Sequence, residues 1–223
     1  MDSTSFDLIL RSLPLLFKGA VLSLQIFAIA SVLSLILGSI MGTLLCRRLR
    51  CGWFASAIEA ITFVLRAVPC YVQLLIAYFV LPDLLGIELE AFTAAIIALS
   101  LCSAGYTAQI VRGGLNAIPK EQWEAAFMLG YSVIHSLRFI IFPQLLRNIL
   151  PALTGECDAL LKSTAILASI GLLELTRMGM NIVSREMDPL PIYLAVAALY
   201  IGISAIINII SKKLEKRIRY VNN

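Results

Sequence analysis

With 223 residues, 60% of them hydrophobic, and a mean hydropathy of +0.90, the chain is too apolar for an ordinary soluble domain. A net charge of +4 is no nucleic-acid signature; the 18 Lys and Arg residues instead segregate by loop, which is a topology signal. An integral membrane protein remains, and because backbone polar groups in hydrocarbon must satisfy one another, an all-α bundle.

Taken in order, residues 1–18 carry Asp2 and Asp7 early and Arg11 and Lys18 later. A cleavable signal would place its positive charges first, so this segment reads as a short interfacial helix broken near Pro14. The first span, 19–45, is uncharged and contains a Gly38-x-x-x-Gly42 step that lets another helix approach closely. Arg47, Arg48 and Arg50 follow it. The second span, 53–81, contains Glu59, Arg66 and Pro69, and the proline predicts a kink. Pro82, Asp83, Glu88 and Glu90 mark an acidic loop before the third span, 91–111, which ends at Arg112-Gly113-Gly114. The fourth span, 149–173, is interrupted by Glu156, Asp158 and Lys162. A mixed loop with Glu174, Arg177, Arg185, Glu186 and Asp188 leads to the fifth, 190–210, and then to a basic tail.

Residues 118–143 form a loop by hydropathy and helix by composition. Pro119 suits the first turn of one short helix and Gly130 the position just past its end. Ser132 caps a second short helix that stops before Pro143. A structured connection of this length predicts a grip on a partner.

Charge sets the orientation. Twelve basic residues (Arg47, Arg48, Arg50, Arg112, Lys120, Arg138, Arg147, Lys212, Lys213, Lys216, Arg217 and Arg219) fall on one side, against Arg11, Lys18, Arg177 and Arg185 on the other. The long loop and the C-terminus are therefore expected in the cytoplasm and the N-terminus outside, with five spans and no separate soluble domain.

No phosphate-binding loop, zinc-protease motif, nucleophile elbow or paired Cys/His cluster occurs, so the residues give no enzyme site and the chain is not expected to be an enzyme. Any energy source must then be external. The five cysteines (46, 51, 70, 102 and 157) have no metal-ligand spacing and read as small hydrophobes. His135 reads as solvated or partner-facing. The intramembrane ions say more, since each costs on the order of 2.5–3.5 kcal/mol to insert. Glu156 and Asp158 point to different helix faces, and a carboxylate paired with Lys162 is expected from four-residue spacing. Two readings of these ions stand: an internal salt bridge that orients helices, or a polar solute path lined by Lys162, Ser163 and Thr164.

The loop reads Glu124-Ala125-Ala126, three residues, Gly130, nine residues, Ile140, Ile141-Phe142-Pro143. This resembles the EAA motif of the membrane subunits of ABC importers, with Phe142 in place of a leucine. Arg66-Ala67-Val68-Pro69 with Gln73 and Tyr78-Phe79-Val80-Leu81-Pro82 is similar to the second span of the polar amino-acid subgroup. Ala108-Gln109-Ile110-Val111-Arg112-Gly113-Gly114 resembles another of its segments, with glutamine where glutamate is usual. Leu161-Lys162-Ser163-Thr164 resembles a third, with serine where aspartate is common. These matches cover most of the chain in the right order.

The resemblance implies a permease subunit of an ATP-driven importer of polar amino acids in a bacterial inner membrane. Glu124, Ala125, Ala126, Gly130 and Pro143 would then belong to a coupling loop docked on a separate ATPase, with the two alanines allowing close approach. ATP would be bound by that partner and no cofactor by this chain. A second permease copy or a homologue and an extracytoplasmic amino-acid-binding protein would complete the assembly, with no nucleic acid involved. Arg66, Gln73, Glu156, Lys162, Ser163 and Thr164 are candidates for the substrate path; Arg66 is alternatively structural, neutralising Glu59. A different class, a secondary transporter or channel working without nucleotide, would be favoured by an inverted repeat, and none is seen.

Overall fold

The computed structural model describes residues 3–49 and 52–220, so Arg50 and Cys51 lie outside the described residues. Among the described residues every regular element is helical. The first helix, α1 (Ser3–Leu44), runs unbroken through Pro14. From Ser3 on, the interfacial segment expected over residues 1–18 is thus the first part of one helix. Leu10 and Pro14 are both exposed, so the carbonyl that the proline leaves without a donor lies at the surface and not in the core.

The next span is interrupted. After α2 (Gly52–Ala67) the chain leaves the helix and resumes as α3 (Cys70–Leu75). Pro69 holds φ −55° and ψ 138°, and its ring also drives the preceding residue out of the helical region. The kink expected inside 53–81 is a break. A π-helical turn, Ile76–Val80, then leads into α4 (Leu81–Leu85), which ends at Gly86, so part of the acidic loop is helical. The following helix, α5 (Ala91–Asn116), continues through Arg112, Gly113 and Gly114 instead of stopping at 111.

In the polar connection, α6 (Lys120–Met128) and α7 (Val133–Ser136) both form. The second does not stop before Pro143. A π-helical turn, Leu137–Ile141, carries it into α8 (Phe142–Ser163). The device is the one used before Pro82. Leu81 N–H donates to the Ile76 carbonyl and Phe142 N–H to the Leu137 carbonyl, each five residues back. The widened turn makes room for a proline that an α register would reject.

Beyond α8 the backbone tightens into a 3₁₀ stretch, Thr164–Ile170, that ends at Gly171. The mixed loop expected between the fourth and fifth spans is instead a helix, α9 (Leu175–Glu186). It is capped by Glu174, whose carboxylate accepts from Thr176 N at 2.8 Å and Arg177 N at 2.7 Å. Finally α10 (Pro189–Tyr220) extends well past residue 210. Three of these helices are long and apolar enough to cross a membrane, or up to five if two broken pairs, Gly52–Ala67 with Cys70–Leu85 and Val133–Ile170 with Leu175–Glu186, each count as one span.

The chain packs as two compact units, each built from separated segments. One takes the chain up to Val32, Val68–Ser100 and Cys157–Ile207. Its core sets Ile26 and Ala30 of α1 against the alanine stripe Ala94, Ala95 and Ala98 of α5, with Leu74, Leu160 and Leu167. A second cluster in the same unit joins Leu16 and Ala20 to Leu175 and Ile182 of α9 and Ile192 and Val196 of α10. The other unit takes Leu33–Ala67, Leu101–Glu156 and the chain from Asn208. Its core joins Cys46, Val111, Leu115, Ile118, Trp123, Ile141, Leu145 and Ile149. The short helix α6 is therefore packed into a core and is not a free excursion.

Within that second unit the Gly38/Gly42 step does what the spacing predicts. Added Cβ atoms would fall 2.5 Å from Thr107 Cβ and 2.5 Å from the Ala108 carbonyl oxygen, respectively. The partner helix is α5, and only glycine permits so close an approach.

Candidate functional site

The 118–143 connection is built from its caps inward. Pro119, at φ −55° and ψ 146°, precedes α6. At the other end Gly130 takes φ +79°, a left-handed conformation that costs glycine nothing. Its N–H donates to the Phe127 carbonyl at 2.9 Å, while Tyr131 N–H donates to the Ala126 carbonyl at 3.1 Å. That pair of bonds is a Schellman closure, so Gly130 both ends α6 and turns the chain. Ser132 then caps α7. Its Oγ accepts from His135 N–H at 3.4 Å and lies 2.9 Å from His135 Nδ1. His135 is exposed and stacks on Phe139.

Helix α6 has two faces. Trp123 is 2% exposed and Ala126 fully buried. Arg48 stands over the Trp123 ring, 5.4 Å from its centre, and its guanidinium donates to the Lys120 carbonyl at 3.4 Å. Asn116 Oδ1, at the end of α5, accepts Arg47 N–H at 3.0 Å and so fastens the end of α1 to the end of α5. On the opposite face Glu124, Ala125 and Phe127 are exposed. Glu124 is held by Lys120 Nζ at 2.5 Å, one turn earlier. Of the five motif positions, Glu124, Ala125, Gly130 and Pro143 are presented outward. Ala126 is not; its small side chain fits α6 onto the chain's own core. Trp123, Arg47 and Arg48, which the sequence marks only as composition and charge, are what seat the loop. Nothing local in the sequence distinguishes that tryptophan from an exposed one.

The intramembrane polar residues divide between the units. In the second, Glu156 does not pair with Lys162. Its Oε1 accepts from Ser103 Oγ at 2.7 Å, Ser103 accepts from Ser34 at 3.1 Å, and Ser34 lies 3.5 Å from Thr107. A ladder of three buried hydroxyls from α1 and α5 thus ends on a carboxylate of α8. Hydroxyl side chains in otherwise apolar spans are the only sequence sign of it. Arg112 holds Glu59 at 2.9 Å, bridging α5 to α2. Arg66 Nε donates to the Thr62 carbonyl at 3.2 Å, and Tyr106 OH donates to the Arg66 carbonyl at 3.4 Å.

In the first unit, Lys162 Nζ meets Asp158 Oδ2 at 2.5 Å, the four-residue pair expected, and the other oxygen of Asp158 accepts from Ser204 of α10. Ser163 and Thr164 donate to carbonyls of their own helix, Ala159 at 2.9 Å and Leu161 at 2.7 Å. Thr164 is buried and opens the 3₁₀ stretch. Gln73 Nε2 donates to the Val68 carbonyl at 2.9 Å, holding the break before α3. The cluster around Glu174 has no sign in the local sequence, where Glu174 stands as one charge in a mixed stretch. This buried carboxylate also accepts from Tyr200 OH at 3.2 Å and Ser23 Oγ at 3.4 Å, tying α9 to α10 and α1.

Known proteins share this architecture. A family model described as "Binding-protein-dependent transport system inner membrane component" matches residues 34–220. The chain is 33% identical over 214 residues to the arginine transport system permease protein ArtQ of Bacillus subtilis (strain 168), covering 96% of this chain and 97% of that one. It is 33% identical over 210 residues to the glutamine transport system permease protein GlnP of Escherichia coli (strain K12), covering 93% and 94%. A crystal structure of an amino acid ABC transporter with histidines superposes with a TM-score of 0.85 at 30% identity, over 97% of this chain and 99% of that one. An inward-facing MetNI methionine ABC transporter shares the fold at a TM-score of 0.79 and 18% identity, over 98% and 99%.

Proposed function

The chain belongs to the family of binding-protein-dependent transport system inner membrane components, and on that premise we infer that it is the permease subunit of an ATP-driven importer of polar amino acids. The observation that carries the mechanism is the division of α6 into a docked face, Trp123 and Ala126, and a presented face, Glu124 and Ala125. A helix held this way transmits force: a partner gripping Glu124 pulls on Trp123, and through it on the ends of α1 and α5. Gly130 and the Schellman turn keep α6 and α7 at a fixed angle, so a push on one is passed to α8 through the π turn and Pro143.

In this reading the whole chain is one transmembrane domain of five spans, with the N-terminus outside and residues 118–143 as a cytoplasmic coupling loop. The partner at that loop is a separate ATPase subunit, which binds the ATP. A second permease, identical or homologous, pairs with this one, and an extracytoplasmic binding protein delivers the amino acid, all at the bacterial inner membrane. Closure of the ATPase pair would bias inward- and outward-facing states by moving the loops. Arg66, Gln73, Glu156, Lys162, Ser163 and Thr164 are proposed to border the substrate path. Glu156 fits that role because, among the described residues, the hydrogen bond it accepts from Ser103 falls on one oxygen, Oε1. A carboxylate held in a span suits the amino group of a zwitterion, and intramembrane ions are functional by default.

The test is reconstitution of the chain with its ATPase and binding protein in proteoliposomes, with arginine, glutamine and histidine offered in turn. Solute-stimulated ATP hydrolysis and uptake should appear together for at least one. Uptake that persists in membranes lacking the ATPase, and stops when the ion gradient is dissipated with ATP maintained, would establish a secondary transporter instead.

A further inference from the structure

Beside the loop, within the second unit, lies an open groove of about 430 Å³ that the coupling reading does not use. Thr43 of α1, Leu115 of α5, and Leu137, Ile141 and Leu145 of the run leading into α8 form its walls, with Arg138 the one charged residue among those lining it. Arg138 is exposed, and the contact recorded for its guanidinium is with the Phe139 ring, 5.4 Å away, not with a carboxylate.

Three features define what fits here. The walls are almost wholly apolar, so a polar solute would lose its hydration without replacement hydrogen bonds. The groove lies at the ends of α1 and α5, beside Arg47, Arg48 and Lys120, the level at which spans meet headgroups. At that level stands a cation, Arg138, that meets no carboxylate among the described residues. An occupant must therefore combine a flexible apolar chain with an anionic head. We propose that the groove holds an anionic phospholipid, its acyl chain against Leu115, Ile141 and Leu145 and its phosphate at Arg138. The proposal rests on the orientation given above, which sets the groove at the cytoplasmic leaflet, where anionic lipid attracts basic residues near the surface. A lipid held there would wedge between the end of α1 and the start of α8, next to the joint that seats α6, and would tune how firmly the loop is held.

The full chain is purified into nanodiscs of equimolar phosphatidylglycerol and phosphatidylcholine, and the lipid retained on extraction is read by native mass spectrometry. Wild type should retain phosphatidylglycerol preferentially. Arg138→Ala should lower that preference about fivefold, the worth of one basic side chain at an anionic surface, and Arg138→Lys should keep most of it. Thr43→Trp, which fills the groove, should lower retention of both lipids while leaving Arg138 in place. Equal retention by wild type and Arg138→Ala overturns the proposal. So does p-benzoylphenylalanine in place of Ile134, which also lines the groove, cross-linking in whole membranes to the ATPase or to a second copy of this chain instead of lipid. The nanodisc measurement does not depend on orientation. A Glu124→Cys variant without other cysteines, labelled only from outside sealed cells, would sink the orientation and leave the lipid result standing.

Discussion

Replacing Gly42 by alanine tests the packing on which the second unit depends. The new Cβ would lie 2.5 Å from the Ala108 carbonyl oxygen and 2.8 Å from Val111 Cβ, where ordinary contact begins at 3.4 Å. A carbonyl in mid-helix cannot turn aside, so α1 and α5 must part by 3.4 − 2.5 = 0.9 Å at that level. The same parting stretches the Ser34–Ser103 bond, now 3.1 Å, and the Ser34–Thr107 contact, now 3.5 Å. Overpacking of this kind costs about 1–3 kcal/mol. Against it stands the helix-propensity gain of alanine over glycine, about 1 kcal/mol. Gly113→Ala in α5 isolates that gain, since a Cβ there meets nothing within 4 Å. Gly42→Ala should therefore be less stable than Gly113→Ala by about 1–3 kcal/mol. In thermal unfolding of the purified chain in detergent this is a lower midpoint by at least 2 °C or so. A Gly42→Ala protein that melts at or above Gly113→Ala would refute the close approach of α1 and α5.

Other outcomes follow from the loop and the ladder. Trp123→Ala should cost about 3–5 kcal/mol by emptying the site under α6. Trp123→Phe should cost far less by the same melting assay, because the buried Trp123 Nε1 has no hydrogen-bond partner among the described residues. Glu124→Ala should change the melting midpoint little, since its exposed pair with Lys120 is worth at most about 0.5 kcal/mol, yet abolish solute-stimulated ATP hydrolysis. Gly130→Asn should transport better than Gly130→Val in proteoliposomes, because asparagine tolerates the left-handed backbone and valine does not. Ser103→Ala removes a bond to a carboxylate worth about 1.5–3 kcal/mol, and in a Glu156→Gln background the same change should cost measurably less on melting.

What the sequence alone determines here is whatever depends on neighbours within a turn or two. Uncharged apolar runs mark the spans because hydrocarbon thickness demands that length. Gly130 and Ser132 announce the two caps because each acts on backbone groups a few residues away. The Asp158–Lys162 pair follows from helical spacing, and Gly38 and Gly42 signal a close approach without saying to what. Tertiary structure decides the rest. Arg112 is paired with Glu59 across 53 positions, a choice made by which helices lie side by side. Glu174 reads as one charge in a polar loop until Ser23 and Tyr200 close around it. Pro14, Pro82 and Pro143 look alike as helix breakers, but the first sits on an exposed face and the other two follow widened turns, so each stays within a helical run. Trp123 and Ala126 are separated from Glu124 and Ala125 only by the face of α6 that the ends of α1 and α5 cover. Burial is a property of packing, and the local sequence holds no record of it.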